Sequence, residues 1–272
     1  MPFTIIGGKN IYYEVYGEGE PIIFLNGIMM STISWAPFID TFSKDFKLIL
    51  IDFVDMGQSE KSTCDYPIDY HTETLKDLIK NLGIEKAHIL GVSYGGEVAL
   101  LFALKYSKMI KSLILANTSA YTGDWLKEIG ELWDSAASTY NVSVFFNATM
   151  PYIYSREFIE ENIKWIKSRE ELFGKYFTKD WYNAFRRLNR SSFNYDVRNE
   201  IHKIKVPTMV IGADKDILLP LRLQEFIHEK IENSKMVIIK DSGHASMYEK
   251  PYEFASIVMG YIKTYNQQIK II

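Results

Sequence analysis

The residues best suited to chemistry are a serine, a histidine and a pair of aspartates, far apart in the chain and each set beside a glycine or at the end of an apolar run. Ser93 lies in Gly91-Val92-Ser93-Tyr94-Gly95. Glycines two residues to either side of a central serine describe a turn too tight for side chains there, and glycine fits because it has no Cβ. A strand-to-helix turn of this kind strains the central residue, lifts its hydroxyl clear of the sheet and aims the next N–H, that of Tyr94, at the same space. A G-x-S-x-G pentapeptide also arises by chance, so its weight comes from context. An apolar, β-prone run at 87–90 precedes it and a helical pattern at 97–106 follows. The positive end of that helix would favour an oxyanion beside the serine.

A serine hydroxyl is a weak nucleophile until a base takes its proton, and the base needs a third group to orient it. Five histidines are available. His88 falls inside the strand leading to Ser93 and reads as packing, His71 opens a helix, and His202 and His228 have polar neighbours. His244 differs, because Asp241-Ser242-Gly243-His244-Ala245 directly follows an apolar run at 236–239 and precedes the last helix. Loops after strand ends are where an open α/β sheet presents its ligands. For the third group, the run at 209–211 ends at Gly212 and leads into Ala213-Asp214-Lys215-Asp216, which offers two carboxylates.

The elements that must position these groups are legible from periodicity. Residues 3–6 and 11–16 are β-prone and separated by Gly7-Gly8-Lys9-Asn10, a hairpin at one sheet edge. Runs at 21–25 and 47–51 are continuously apolar, as in strands covered on both faces. Residues 34–43 suit a short helix, and 70–82 carries Leu75, Leu78, Ile79 and Leu82 at helical spacing before Gly83. Further strands are expected at 111–116, 208–211 and 236–239, and an amphipathic helix at 251–265. Strands alternating with helices indicate an α/β fold with a doubly wound, mostly parallel sheet. Between 121 and 199 the strand pattern stops, the texture is helical, and four of the five tryptophans occur. The expected organisation is a core of 1–120 and 200–272 with a helical cap, 121–199, inserted between two core strands.

Composition narrows the partners. The 272 residues are 47% hydrophobic, ample for one packed domain, and the formal charge of −3 provides no basic stripe for nucleic acid. A single cysteine, Cys64, cannot form an internal disulfide. The first residues lack the basic and apolar regions of a secretory leader, and no apolar run approaches the ~18 residues of a membrane span. The expectation is a soluble, cytoplasmic protein without a membrane span. No His/Cys/Asp cluster has metal-ligand spacing and no glycine loop suits a nucleotide, so no metal or cofactor is expected.

Taken together, Ser93, then an aspartate, then His244 in that chain order resemble the α/β-hydrolase family over almost the whole length. The resemblance favours Asp216 over Asp214, because members commonly carry the acid four residues before a proline, here Pro220. It also implies an oxyanion hole from the backbone N–H groups of Ile28 and Tyr94. Two departures stand out. The family's usual His-Gly is Asn26-Gly27, and Asp55 replaces the first glycine of the signature at 52–59. Aspartate tolerates turn conformations, so a local change is expected there.

Ser93 argues against the family's dehalogenases and epoxide hydrolases, whose nucleophile is an aspartate. Leu221 stands where C–C hydrolases and enol-lactonases often have tryptophan. Hydrolysis of a carboxylic ester or thioester is therefore the leading expectation. Lactone hydrolysis, C–C cleavage, acyl transfer and a slow-turnover receptor on the same fold are the alternatives. Met29, Trp35 and Leu218 are expected to contact a small to medium, mainly apolar acyl substrate, under a cap whose aromatics mostly pack against each other.

Overall fold

In a computed structural model, which describes residues 3–267, the strands in chain order are β1 (Phe3–Ile6), β2 (Lys9–Tyr16), β3 (Glu20–Leu25), β4 (Phe46–Ile51), β5 (Ala87–Val92), β6 (Ile110–Ala116), β7 (Thr208–Ala213) and β8 (Ser234–Ile239). They form one sheet in the order β1-β2-β4-β3-β5-β6-β7-β8. The first two pairings are antiparallel and the remaining ones parallel. The outer few positions of the expected core, 1–2 and 268–272, lie outside the described residues.

Around the sheet run α1 (Ala36–Phe42), α2 (Tyr70–Asn81) and α3 (Tyr94–Tyr106). Then come α4 (Asp124–Ser138), α5 (Val142–Ile153), α6 (Arg156–Glu161), α7 (Ile163–Tyr176) and α8 (Lys179–Ser191). The last are α9 (Arg222–Lys230), α10 (Ser246–Glu249) and α11 (Pro251–Thr264). Side chains alternate across a strand, so neighbours in β3 face opposite layers. Ile23 and Leu25 pack with α2, α3 and α9, while Ile22 and Phe24 pack with α1 and α11. Every residue of β5 and β7 is buried, which explains their lack of polar alternation. Each Leu, Ile or Phe so covered stabilises by ~1.5–3 kcal/mol.

Most boundaries shift by a residue or two from expectation, and two of the shifts have a clear physical cause. The hairpin turn is only two residues long, because Gly7 and Gly8 both take positive φ, 56° and 77°, and Lys9 already pairs with Ile6. Helix α3 begins at Tyr94 rather than near residue 97, directly after the serine. Its first turn holds Gly95 and Gly96, which composition alone reads as loop but which close packing requires: a Cβ on Gly95 would lie 2.4 Å from Leu25 O.

Helices α4 to α8 all lie between β6 and β7, and the chain enters and leaves this insertion side by side. Thr122 N–H donates to Tyr195 O at 2.8 Å, and Val197 N–H to Ala120 O at 2.9 Å. Inside the insertion, aromatic rings make a core of their own. Trp181 stacks on Phe177 at 3.5 Å between centroids, and Phe145 meets Phe185 edge to face at 4.8 Å. Ile129 and Trp133 of α4 pack with Leu218 and Leu219, which follow β7, and with Ile28 and Met29, which follow β3. The insertion therefore sits over the C-terminal ends of the parallel strands.

Candidate active site

Five parallel strands, β3 and β5 to β8, end in groups that converge. Ser93 follows β5 with φ 54° and ψ −121°, a backbone state that costs about 1–3 kcal/mol and persists because its surroundings over-determine it. Its N–H donates to Ala116 O at 2.9 Å, and a Cβ on Gly91 would come within 2.4 Å of Gly95 O. His244, in the loop after β8, brings Nε2 to 2.9 Å from Ser93 Oγ. Its Nδ1 lies 2.8 Å from Asp216 Oδ2, the carboxylate after β7. A carboxylate can only accept from Nδ1–H, which leaves Nε2 as the atom free to accept the serine proton.

Asp216 is itself held. Leu219 N–H donates to its Oδ1 at 2.8 Å, and Asn117 Nδ2 to its Oδ2 at 3.0 Å. Asn117 follows β6 with φ 46°, and its Oδ1 accepts from Ser246 Oγ at 2.6 Å. Sequence reading missed this residue, since a lone asparagine after a strand belongs to no motif. Its only signal is that asparagine tolerates left-handed backbone at a strand end. Asp214 is turned away and accepts from Asp241 N–H at 2.7 Å, as a turn residue would.

Ile28 and Tyr94 flank the serine, and neither of their N–H groups donates to a protein acceptor among the described residues. The Tyr94 N–H is orphaned by its place at the first position of α3. The Ile28 loop is pinned from below. Asn26 Nδ2 donates to Ile51 O at 2.8 Å, while Asn26 Oδ1 accepts from Trp35 Nε1 at 2.8 Å. Asp52 accepts from Thr32 N–H at 2.7 Å and Gln58 N–H at 2.9 Å. Asn26 thus ties the loop through its amide where an imidazole would otherwise stand.

Trp35 corrects an expectation. It is 0% exposed, packed among Phe24, Phe38 and Phe42 beneath the sheet, and its one polar atom is spent on Asn26. It cannot touch a substrate. The other expected contacts, Met29 and Leu218, do line the cleft over Ser93. That cleft has two lobes, which share Ile28, Ser93, Trp133 and Leu218. The larger, about 820 Å³, is walled by Met29, Met30, Met150, Ile153, Phe173 and Met247, with His244, Arg169, Ser34, Tyr154 and Tyr248 bringing polar atoms to it. The smaller, about 460 Å³, adds Tyr94, Glu97, Thr122, Asn189 and Ser192 to a wall whose remaining members are mainly apolar. Arg169 and Glu97 are ionisable groups beside the site that sequence reading left out.

The insertion is bonded to the histidine loop. Ala245 N–H donates to Ile153 O at 2.9 Å, and the Glu249 carboxylate accepts from Ser155 N–H at 2.8 Å and Gly243 N–H at 3.1 Å. Among the described residues no group of three or more His, Cys, Asp or Glu side chains could hold a metal ion. No helix there is long and apolar enough to cross a membrane.

Residues 20–251 match the family model described as alpha/beta hydrolase fold. The chain belongs to the alpha/beta hydrolase fold family. Within it, the chain is similar to an alpha/beta hydrolase enzyme from a Medee basin deep-sea metagenome library, with 39% identity over 99% of this chain and 100% of that one and a TM-score of 0.96. A proline iminopeptidase of Saccharolobus solfataricus is 26% identical over 94% of this chain and 90% of its own length. The enol-lactonase of Burkholderia xenovorans LB400 superposes with a TM-score of 0.85 at 23% identity, covering 96% of this chain and 100% of that one. Family and relatives alike support hydrolase chemistry, while the bonds their names imply differ.

Proposed function

We propose that this alpha/beta hydrolase is a serine hydrolase that cleaves a carboxylic ester or thioester through an acyl-enzyme. The observation that carries the reading is the unbroken relay from Ser93 Oγ to His244 Nε2 at 2.9 Å and from His244 Nδ1 to Asp216 at 2.8 Å. Ser93 Oγ attacks the carbonyl carbon and its proton passes to His244 Nε2. The carbonyl oxygen, now an oxyanion, takes hydrogen bonds from the Ile28 and Tyr94 N–H groups, each worth ~3–4 kcal/mol to the transition state. His244 returns the proton to the leaving oxygen or sulfur as its bond to carbon breaks. A water then attacks the acyl group, giving its proton to His244, and the acid departs as Ser93 Oγ regains a proton. Asp216 stays ionised throughout and steadies the imidazolium.

The apolar walls of the larger lobe support a substrate whose bulk is small to medium and mainly apolar. A fluorophosphonate probe tests the mechanism. One adduct is expected, on the peptide containing Ser93, together with loss of ester hydrolysis in Ser93→Ala. Labelling elsewhere, or full activity in that variant, rejects the reading.

A further inference from the structure

Two residues that line the smaller lobe carry buried polar atoms that the fold leaves without partners. Glu97 lies one helical turn beyond Ser93 on α3 and is 4% exposed. Its Oε1 accepts one long bond, from Ser119 Oγ at 3.4 Å, and its Oε2 has no protein partner. Thr122, 8% exposed and lining the same lobe, also has an unpartnered hydroxyl. Leaving such groups buried and unsatisfied is destabilising. A fold that needed only packing here would be served by apolar residues of the same shape.

The two lobes also differ in their relation to the base. His244 lines the larger lobe and not the smaller. The leaving group takes its proton from His244 Nε2, so it must depart on the side of the larger lobe. The part of the substrate that stays on the carbonyl carbon is then left facing the smaller one.

We infer that the smaller lobe is the acyl subsite and that Glu97 and Thr122 are specificity-determining residues, which hydrogen-bond a hydroxyl carried on a short acyl chain. This rests on the serine-hydrolase reading above. A hydroxyl suits the pair because it both donates and accepts. Glu97 and Thr122 each have capacity left, and burial pushes the Glu97 carboxyl up to about 8, so that it can donate as well as accept at neutral pH. Leu126, Ile129 and Trp133 supply apolar contact for the rest of the chain. An unbranched alkyl acyl group, by contrast, would leave both polar groups unsatisfied in the complex.

The test compares p-nitrophenyl butyrate with p-nitrophenyl 3-hydroxybutyrate, which share a leaving group and differ by one hydroxyl. The wild-type enzyme is expected to favour the hydroxy ester in kcat/KM by about tenfold or more, because a site built to hydrogen-bond a hydroxyl rejects the analogue that lacks it. Glu97→Leu and Thr122→Val should each bring the ratio down toward one. Fluorophosphonate labelling of Ser93 checks that each variant keeps its relay, and Glu97→Met, which also lacks a donor, replaces the leucine variant if that one does not fold. Wild-type hydrolysis of butyrate with no preference for the hydroxy ester, or a preference untouched by the substitutions, overturns this assignment alone. Absence of hydrolysis of both esters and of labelling would overturn the parent reading instead.

Discussion

Arg187 grips Asp55 across 132 residues of chain, Nε to Oδ2 at 2.9 Å and Nη2 to Oδ1 at 2.7 Å. Asp55 is the residue that replaces a glycine of the family signature, and it keeps glycine's backbone, with φ 71°. Tyr66 OH, at 2.8 Å, and Ser62 N–H, at 2.9 Å, complete its shell. The substitution thus adds a buried anion beside the sheet that a cation of α8 can hold. Removing one partner of such a pair strands the other in low dielectric, at a cost of about 3–5 kcal/mol. Arg187→Met should therefore lower stability by that order, while adding Asp55→Asn to it should recover much of the loss. Denaturant unfolding of the four proteins in a double-mutant cycle measures the coupling, and a value near zero would refute the pairing.

The two aspartates after β7 should separate cleanly. Asp216→Asn removes the acceptor that sets the His244 tautomer, and kcat should fall by about 10⁴-fold. Asp214→Asn disturbs a turn bond to Asp241 and an exposed pairing with Lys240, so its kcat should stay within about threefold of wild type for lack of any contact with the relay. Steady-state kinetics on one activated ester ranks them, and the opposite order would move the acid to Asp214.

Asn117 is expected to act through Asp216. Asn117→Ala deletes the bonds to Asp216 and Ser246 and leaves alanine at a φ of 46°. It should lower kcat on the order of tenfold or more with little change in KM, since the loss falls on transition-state positioning. Asn117→Gly tolerates the backbone but lacks the amide. If it restored kcat, strain rather than orientation would be the cause.

Glu97 makes stability depend on pH in a direction that can be worked out. Burial raises its carboxyl from an ordinary 4.5 to about 8. Between those values the folded chain keeps a proton that the unfolded chain has released, so this contribution is full below 4.5 and is lost as pH rises through 8. Glu97→Gln stays neutral in both states. Its Tm relative to wild type should climb steadily from pH 5 to pH 8, and a difference that stays flat over that range would contradict the buried, neutral carboxyl.

Ser93 and His244 could be singled out in sequence because each sits where an apolar run breaks, whereas the choice of Asp216 over Asp214 needed the family resemblance and its proline four residues on. The sheet was legible for the same reason, since strands covered on both faces carry no polar interruption. Trp35 was misread because nearness to a loop in sequence says nothing of where a side chain points, and its indole turns inward to Asn26. Arg187 could not be matched to Asp55, nor Asn117 to Asp216, because those bonds span distant elements and follow no period. Glu97 looked like an ordinary residue of an apolar helix. Only its missing partner, a property of three-dimensional neighbours, marks it.

The bonds from Ile153, Ser155 and Glu249 to the loop around His244 make the roof of the cleft and the proton acceptor one mechanical body. A guest that wedges α5 outward pulls on Ala245, the residue next to the imidazole, and draws Nε2 away from Ser93. An oversized substrate would then still be held, yet turn over slowly. Selection by size would be exercised on kcat rather than on KM, and the enzyme's poorest substrates would behave as competitive inhibitors of its best ones.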